Sequence, residues 1–268
     1  MVLKTPGELR LMDEANGIVL RVLDALAERI RPGVTTRDLD RFAEAMIREA
    51  GAVPAFLDYK GYPASLCTSI NDVIVHGIPD ATALREGDII GIDCGVLYNG
   101  YFGAAARTYS VGAVSEPARR LIATTRAALE LAIEQVRPGG RLSDVGHAVQ
   151  QHVEGQGFSV VRDFVGHGIG TALHEDPQVP NFGEPGRGPR MKAGLVLAIE
   201  PMVNAGKCGV RMDADGWTAR TEDGSLSAHF EYSVAVTEDG PWVLGLGGRP
   251  AALAAQDALA GARGSRIG

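Results

Sequence analysis

The sequence has no apolar run long enough to cross a bilayer, and its opening segment, with Glu8, Asp13, Glu14, Arg21, Asp24, Glu28 and Arg29, is too charged for a signal peptide. No membrane partner is expected, and the cytoplasm is the expected compartment. Cysteines are scarce. Cys67, Cys94 and Cys208 are odd in number and far apart, which argues for a reducing compartment over a disulfide framework. No cluster of Lys or Arg appears in a chain of net charge -7, so nothing is there to neutralise a phosphate backbone, and direct nucleic-acid binding is not expected. A phosphate-cradling loop is absent too, because His167-Gly168-Ile169-Gly170 lacks the third glycine and a helix behind it. Cys67 has no base beside it and reads as packed, not nucleophilic. The last absence is internal: a pattern written twice in the chain asks for a carboxylate at 104, and the residue there is Ala104.

With 268 residues, 45% of them apolar, the chain can bury a sizeable core. Leu11, Ile18, Val19, Val22 and Leu23 fall at helical spacing and predict a helix over 8–30. Arg31-Pro32-Gly33 stops it, and a second helix is expected over 36–49 behind an N-cap at Thr35 or Thr36. The arrangement then recurs: a helix over 118–136, a stop at Arg137-Pro138-Gly139, and another helix opened by Ser143 that closes near Gly157. The two Arg-Pro-Gly turns are spaced as Gly51 and Gly157 are. Strands follow in both copies. Gly87-Asp88-Ile89-Ile90-Gly91-Ile92-Asp93 is matched by Gly194-Leu195-Val196-Leu197-Ala198-Ile199-Glu200, each a buried strand ending in an acid, and each precedes a second β-like segment, 101–111 and 227–236. The fold class is therefore α+β, two halves related by a pseudo-twofold axis, with antiparallel sheet covered by helices and a cleft between them. One domain is expected over 1–248, with halves of about 1–113 and 114–248, and the Gly/Ala/Arg-rich 249–268 is expected to be a flexible tail.

Asp93, His167, Glu200 and Glu231 are donors lying on or beside apolar segments, where an unpaired charge is costly to bury. Any one of these acids alone would be read as salt-bridged in a core. Together, with no Lys or Arg on their strands, they point to a divalent cation as counter-charge. Carboxylates with one imidazole suit Mn, Fe, Co or Zn, and such a centre commonly activates water for amide hydrolysis. His76 and His174 lie in Gly/Pro-flanked loops, where an imidazole could donate to a carbonyl oxygen or handle a proton; a solvated loop histidine is the plain alternative for each.

The run from Gly61-Tyr62-Pro63 through Cys67, Val75-His76-Gly77-Ile78-Pro79, Gly166-His167-Gly168-Ile169-Gly170, His174-Glu175, Ile199-Glu200-Pro201-Met202-Val203, Asp215-Gly216-Trp217-Thr218 and Ser227-Ala228-His229-Phe230-Glu231 resembles the bacterial type I methionine aminopeptidases. The resemblance implies a pita-bread fold and a cytoplasmic hydrolase that removes methionine from peptide or nascent-chain N-termini, a monomer that by family analogy works beside the ribosome. It implies Asp93, His167, Glu200 and Glu231 as metal ligands, with Glu200 also the proton acceptor for the attacking water. His76 and His174 would contact the scissile amide, and Tyr59, Tyr62, Cys67, Leu173 and Trp217 would surround the methionine side chain. Two metal ions are the family's complement.

This chain departs from the family pattern at two places. Where the family reads Gly-aromatic-His-Gly-Asp, the chain reads Gly100-Tyr101-Phe102-Gly103-Ala104, and Leu173 stands where the bacterial family usually has Phe. Loss of a bridging carboxylate removes a charge between two dications that repel each other. One metal held firmly and a second held weakly or not at all, with hydrolysis slowed or lost, is the expectation. The alternative is a non-catalytic or altered-specificity pita-bread protein that binds peptide N-termini.

Overall fold

The computed structural model describes residues 1–247. Helix α1 (Pro6–Ala27) starts at Thr5, which closes a capping box with Glu8, and α2 (Thr36–Glu49) starts at Thr35, which does the same with Asp38. Strands β1 (Val53–Pro54), β2 (Leu66–Ile70), β3 (Val73–Val75), β4 (Ile89–Tyr98) and β5 (Tyr101–Ser110) follow. The order of two helices and then strands comes again, with α3 (Glu116–Glu134), α4 (Leu142–Gly155), β6 (Ser159–Val160), β7 (Gly166–Gly168), β8 (Glu175–Val179) and β9 (Val196–Ile199). The remainder is β10 (Met202–Asn204), β11 (Val210–Met212), β12 (Ala219–Thr221), β13 (Ser227–His229), β14 (Glu231–Thr237) and β15 (Gly240–Val243). The proposed boundary at 248 and the proposed tail lie outside the described residues.

Three expectations need adjusting. The fourth helix is entered from Arg141, and Ser143 lies inside it, its hydroxyl donating to the Arg187 carbonyl and accepting from the Arg187 amide at 2.7 Å each. The segment over 227–236 is two strands, not one: the chain leaves one sheet after His229 and enters another at Glu231. Glu200 stands one residue beyond the end of β9.

A nine-stranded antiparallel sheet runs β1-β4-β5-β14-β9-β7-β8, with β2 on β4 and β15 on β14. Two three-stranded sheets, β13-β10-β6 and β11-β12-β3, flank it. The main core lies between the helices and this large sheet, where Leu23, Leu26, Ile90, Ile92, Leu121 and Leu197 are fully buried. Gly103 shows how close the layers come: a Cβ there would lie 2.8 Å from the Asn16 amide nitrogen of α1, so only glycine lets helix and strand meet. No helix among the described residues is long and apolar enough to cross a membrane.

Candidate metal centre

The large sheet brings the acids together through its pairing. Cys67 on β2 faces Asp93 on β4, Asp93 faces Ala106 on β5, and Ala106 faces Glu231 on β14. On the other side of β14, Tyr232 pairs with Ile199, which sets Glu200 beside Glu231, and Ala198 pairs with His167 of β7. Side chains alternate across a strand, so these positions share one face. Ala104, two residues before Ala106, is on that face as well and lines the same cleft of about 230 Å³.

His167, Glu200 and Glu231 each offer a ligand atom within 4.8 Å of the other two. The Nδ1 of His167 lies 2.8 Å from the Gly168 carbonyl, which fixes a hydrogen on that nitrogen and leaves Nε2 with a lone pair aimed at Glu200 Oε1, 3.5 Å away. Asn181 holds the turn, its Nδ2 donating to the Glu200 backbone carbonyl at 2.9 Å. Burial pushes the Asp93 and Glu200 carboxyls up to about 7, and Glu231 is driven well above the usual range by burial and by those two neighbours. Among the described residues no lysine or arginine is ion-paired with any of the three. Crowded acids without a cationic side chain form an electrostatic well for a metal ion.

The cleft walls carry the remaining expected residues: Tyr59, Tyr62, Cys67, His76, Leu173, His174 and Trp217 all line it. The His174 ring lies 4.2 Å from that of His167, and its Nδ1 is 2.8 Å from the Tyr59 hydroxyl. Desolvation lowers both His76 and His174 to about 4, so both are neutral near pH 7. His76 adopts φ 60, an unusual left-handed conformation, and Gly77 follows because a Cβ there would sit 2.2 Å from the Thr68 carbonyl oxygen. Tyr62 packs edge-on to Trp217 at 5.1 Å and donates its hydroxyl hydrogen to the Leu66 and Gly77 carbonyls. Cys67 is buried and its thiol pushed well up, first by desolvation and then by Asp93, which fits a packed wall.

Sequence reasoning missed His229. It is 4% exposed, and its Nε2 lies 3.6 Å from Glu200 Oε2, the oxygen not facing His167. The i, i+2 spacing from Glu231 was the available signal.

A family model described as metallopeptidase family M24 matches residues 10–238. The chain is 52% identical to a methionine aminopeptidase of Clostridium perfringens, over 92% of this chain and 99% of that one. Among solved structures, methionine aminopeptidase from Rickettsia prowazekii superposes with a TM-score of 0.91 at 41% identity, covering 92% of this chain and 100% of that chain. The methionine aminopeptidase structure from Thermotoga maritima gives a TM-score of 0.90 at 44% identity, covering 91% and 99%.

Proposed function

Because the chain belongs to metallopeptidase family M24, and its fold is that family's pita-bread fold, we propose that it is a metal-dependent aminopeptidase releasing methionine from peptide N-termini. The observation that carries the reading is the buried trio of His167, Glu200 and Glu231 at the floor of a cleft walled by Tyr62, Cys67 and Trp217. The orphaned Asp93 Oδ1, buried without a hydrogen-bond partner among the described residues, suits a cation on that side as well. A divalent ion held there would polarise the scissile carbonyl and acidify a water.

Each residue then has a task in that cleft. Glu200 takes the proton of the attacking water and passes it to the departing amine. Neutral His174, accepting the Tyr59 hydroxyl hydrogen at Nδ1, keeps its hydrogen on Nε2 and donates it to the carbonyl oxygen as charge develops. His76 donates to the substrate amide from its strained turn. Cys67, Tyr62, Leu173 and Trp217 give the methionine thioether a soft, aromatic seat. His167, Glu200 and Glu231 would hold one ion firmly. On the Asp93 side a second ion would have no carboxylate from position 104, where Ala104 stands, and would be held more weakly, with slower turnover. The substrate is a new polypeptide in the cytoplasm, met near the ribosome by a monomer.

Stripped protein incubated with a Met-Ala peptide and Mn²⁺, Co²⁺ or Fe²⁺ should release free methionine, read by mass spectrometry. Peptide binding with no release under any of these metals would favour a non-catalytic binder of N-termini.

Metal uptake should depend on pH. Asp93 and Glu200 are held near 7, so below that pH an entering ion must displace their protons. Affinity therefore rises with pH through that range, and Glu231, driven well above the usual carboxylate range by burial and by its two neighbours, adds a further proton to displace. Each displaced proton costs about tenfold in affinity for one pH unit below the pKa of its group. Calorimetry in two buffers of different ionisation enthalpy counts those protons, and an affinity flat across the acid side of neutrality would contradict the carboxylate set.

A further inference from the structure

Lys4 is a buried lysine that does not line the cleft. Residues 1–3 are exposed, but the chain then turns inward, and the side chain of Lys4 is only 2% exposed. Lysine is almost never buried to that degree unless it is paired. Its Nζ forms an ion pair with Glu175, whose own side chain is 9% exposed, and also donates to the Val2 carbonyl at 3.4 Å. Room for the ammonium comes from Gly170, where a Cβ would lie 2.5 Å from Lys4 Nζ.

Glu175 opens β8 directly after His174, and successive side chains of extended backbone turn to opposite sides, so His174 faces the cleft while Glu175 faces Lys4. The Oε1 oxygen of Glu175 gathers the loop between β7 and β8, accepting the Thr171 amide at 2.9 Å and the Ala172 amide at 3.3 Å. Its Oε2 oxygen takes the Lys4 ammonium. Lys4 is fixed from the other side, because its amide donates at 2.7 Å to the carbonyl of Gly194, just before β9, the strand that leads to Glu200. The loop is also tied to β5, where the Phe102 amide donates to the Gly170 carbonyl at 2.8 Å. The segment that carries Leu173 and His174 is thus gathered by one carboxylate, and that carboxylate is held by one ammonium.

We propose that Lys4 is a positioning residue for His174: by holding the Glu175 carboxylate in place it sets the loop from which His174 donates to the substrate carbonyl. The Tyr59 hydroxyl, 2.8 Å from His174 Nδ1, orients the ring, while Lys4 and Glu175 fix the backbone from which the ring projects. Removing the ammonium alone leaves a buried carboxylate without its counter-charge, which draws Glu175 towards water and the loop with it. Exchanging both residues for neutral side chains of similar size keeps the packing and the acceptor for the loop amides, an exchange that buried pairs commonly tolerate. A donor to the carbonyl oxygen acts as charge develops, so displacement of His174 falls on kcat and spares KM. The inference rests on the role of His174 in the function proposed above.

The test combines Lys4→Met, Lys4→Met/Glu175→Gln and His174→Ala in the full-length chain, assayed on a Met-Ala peptide with saturating Mn²⁺. Lys4→Met should lower kcat by at least about tenfold, with KM and Mn²⁺ affinity each within about threefold of wild type. His174→Ala should lower kcat by about a hundredfold or more, and adding Lys4→Met to it should change kcat by less than about twofold. The paired exchange should bring kcat back to within about threefold of wild type. In stripped protein labelled with ¹⁵N-histidine, the His174 imidazole signals, assigned by their loss in His174→Ala, should shift or broaden in Lys4→Met and return in the paired variant. An equal loss of kcat with and without His174, or wild-type imidazole signals in folded Lys4→Met, would overturn the positioning role. Should Lys4→Met not fold, Glu175→Gln, which strands the ammonium instead, carries the same comparison against His174→Ala. A His174→Ala chain with kcat within about threefold of wild type would instead sink the role of His174 itself.

Discussion

Glutamine at position 200 will remove turnover while leaving the fold intact. The side chain of Glu200 is not what anchors its turn, because Asn181 bonds the backbone carbonyl there, so Glu200→Gln keeps that contact and the volume. The exchange deletes a negative charge between two imidazoles at 3.5 and 3.6 Å, and it points an amide N–H where one of them needs an acceptor or a shared ion. Two losses combine: the general base, worth about 10²–10⁴ in rate, and part of the metal affinity. With the same saturating Mn²⁺, kcat on a Met-Ala peptide should fall by at least about a hundredfold. The ion bound at His167 should be held at least about tenfold more weakly. Thermal unfolding of the stripped variant should occur no lower than that of stripped wild type, since burial and the neighbouring charges penalise the carboxylate that is removed. Turnover within threefold of wild type would exclude Glu200 as the proton acceptor.

Much of this site could be read before the fold. The helices were legible because their boundaries are local chemistry: Thr5 with Glu8 and Thr35 with Asp38 close their boxes within one turn of chain. The acids at 93 and 200 were legible because an apolar strand that ends in a carboxylate is expensive without a partner. What stayed hidden depends on distant pairing. Two halves related by a pseudo-twofold axis were legible, but not that β5 and β14 join them into one sheet through two pairs, Glu231 with Ala106 and Tyr232 with Ala105. Local pattern cannot announce a ladder between residues so far apart in sequence. The strand break at Phe230 was masked for a related reason, since apolar and polar residues continue through it without a turn signal. His229 was passed over because a lone histidine in a strand is ordinarily a packed one. Its approach to Glu200 shows only once Thr108 from the other half pins its backbone.

The reverse experiment, a carboxylate placed at Ala104, should raise turnover of a Met-Ala peptide. Ala104 lines the cleft, faces Gly95 across β4 and β5, and its carbonyl accepts the Ser233 hydroxyl, so its backbone is fixed and only a side chain is wanting. In Ala104→Asp a fourth acid joins three that are already pushed up by burial and by one another. Without metal that addition is repulsive, and the stripped variant should melt several degrees lower than stripped wild type, roughly 2–4 °C per kcal/mol lost for a chain of this size. With Mn²⁺ the sign reverses, because the new carboxylate can bind both ions and screen their repulsion. The second ion should bind at least about tenfold more tightly, and kcat/KM on the Met-Ala peptide should rise by about tenfold or more.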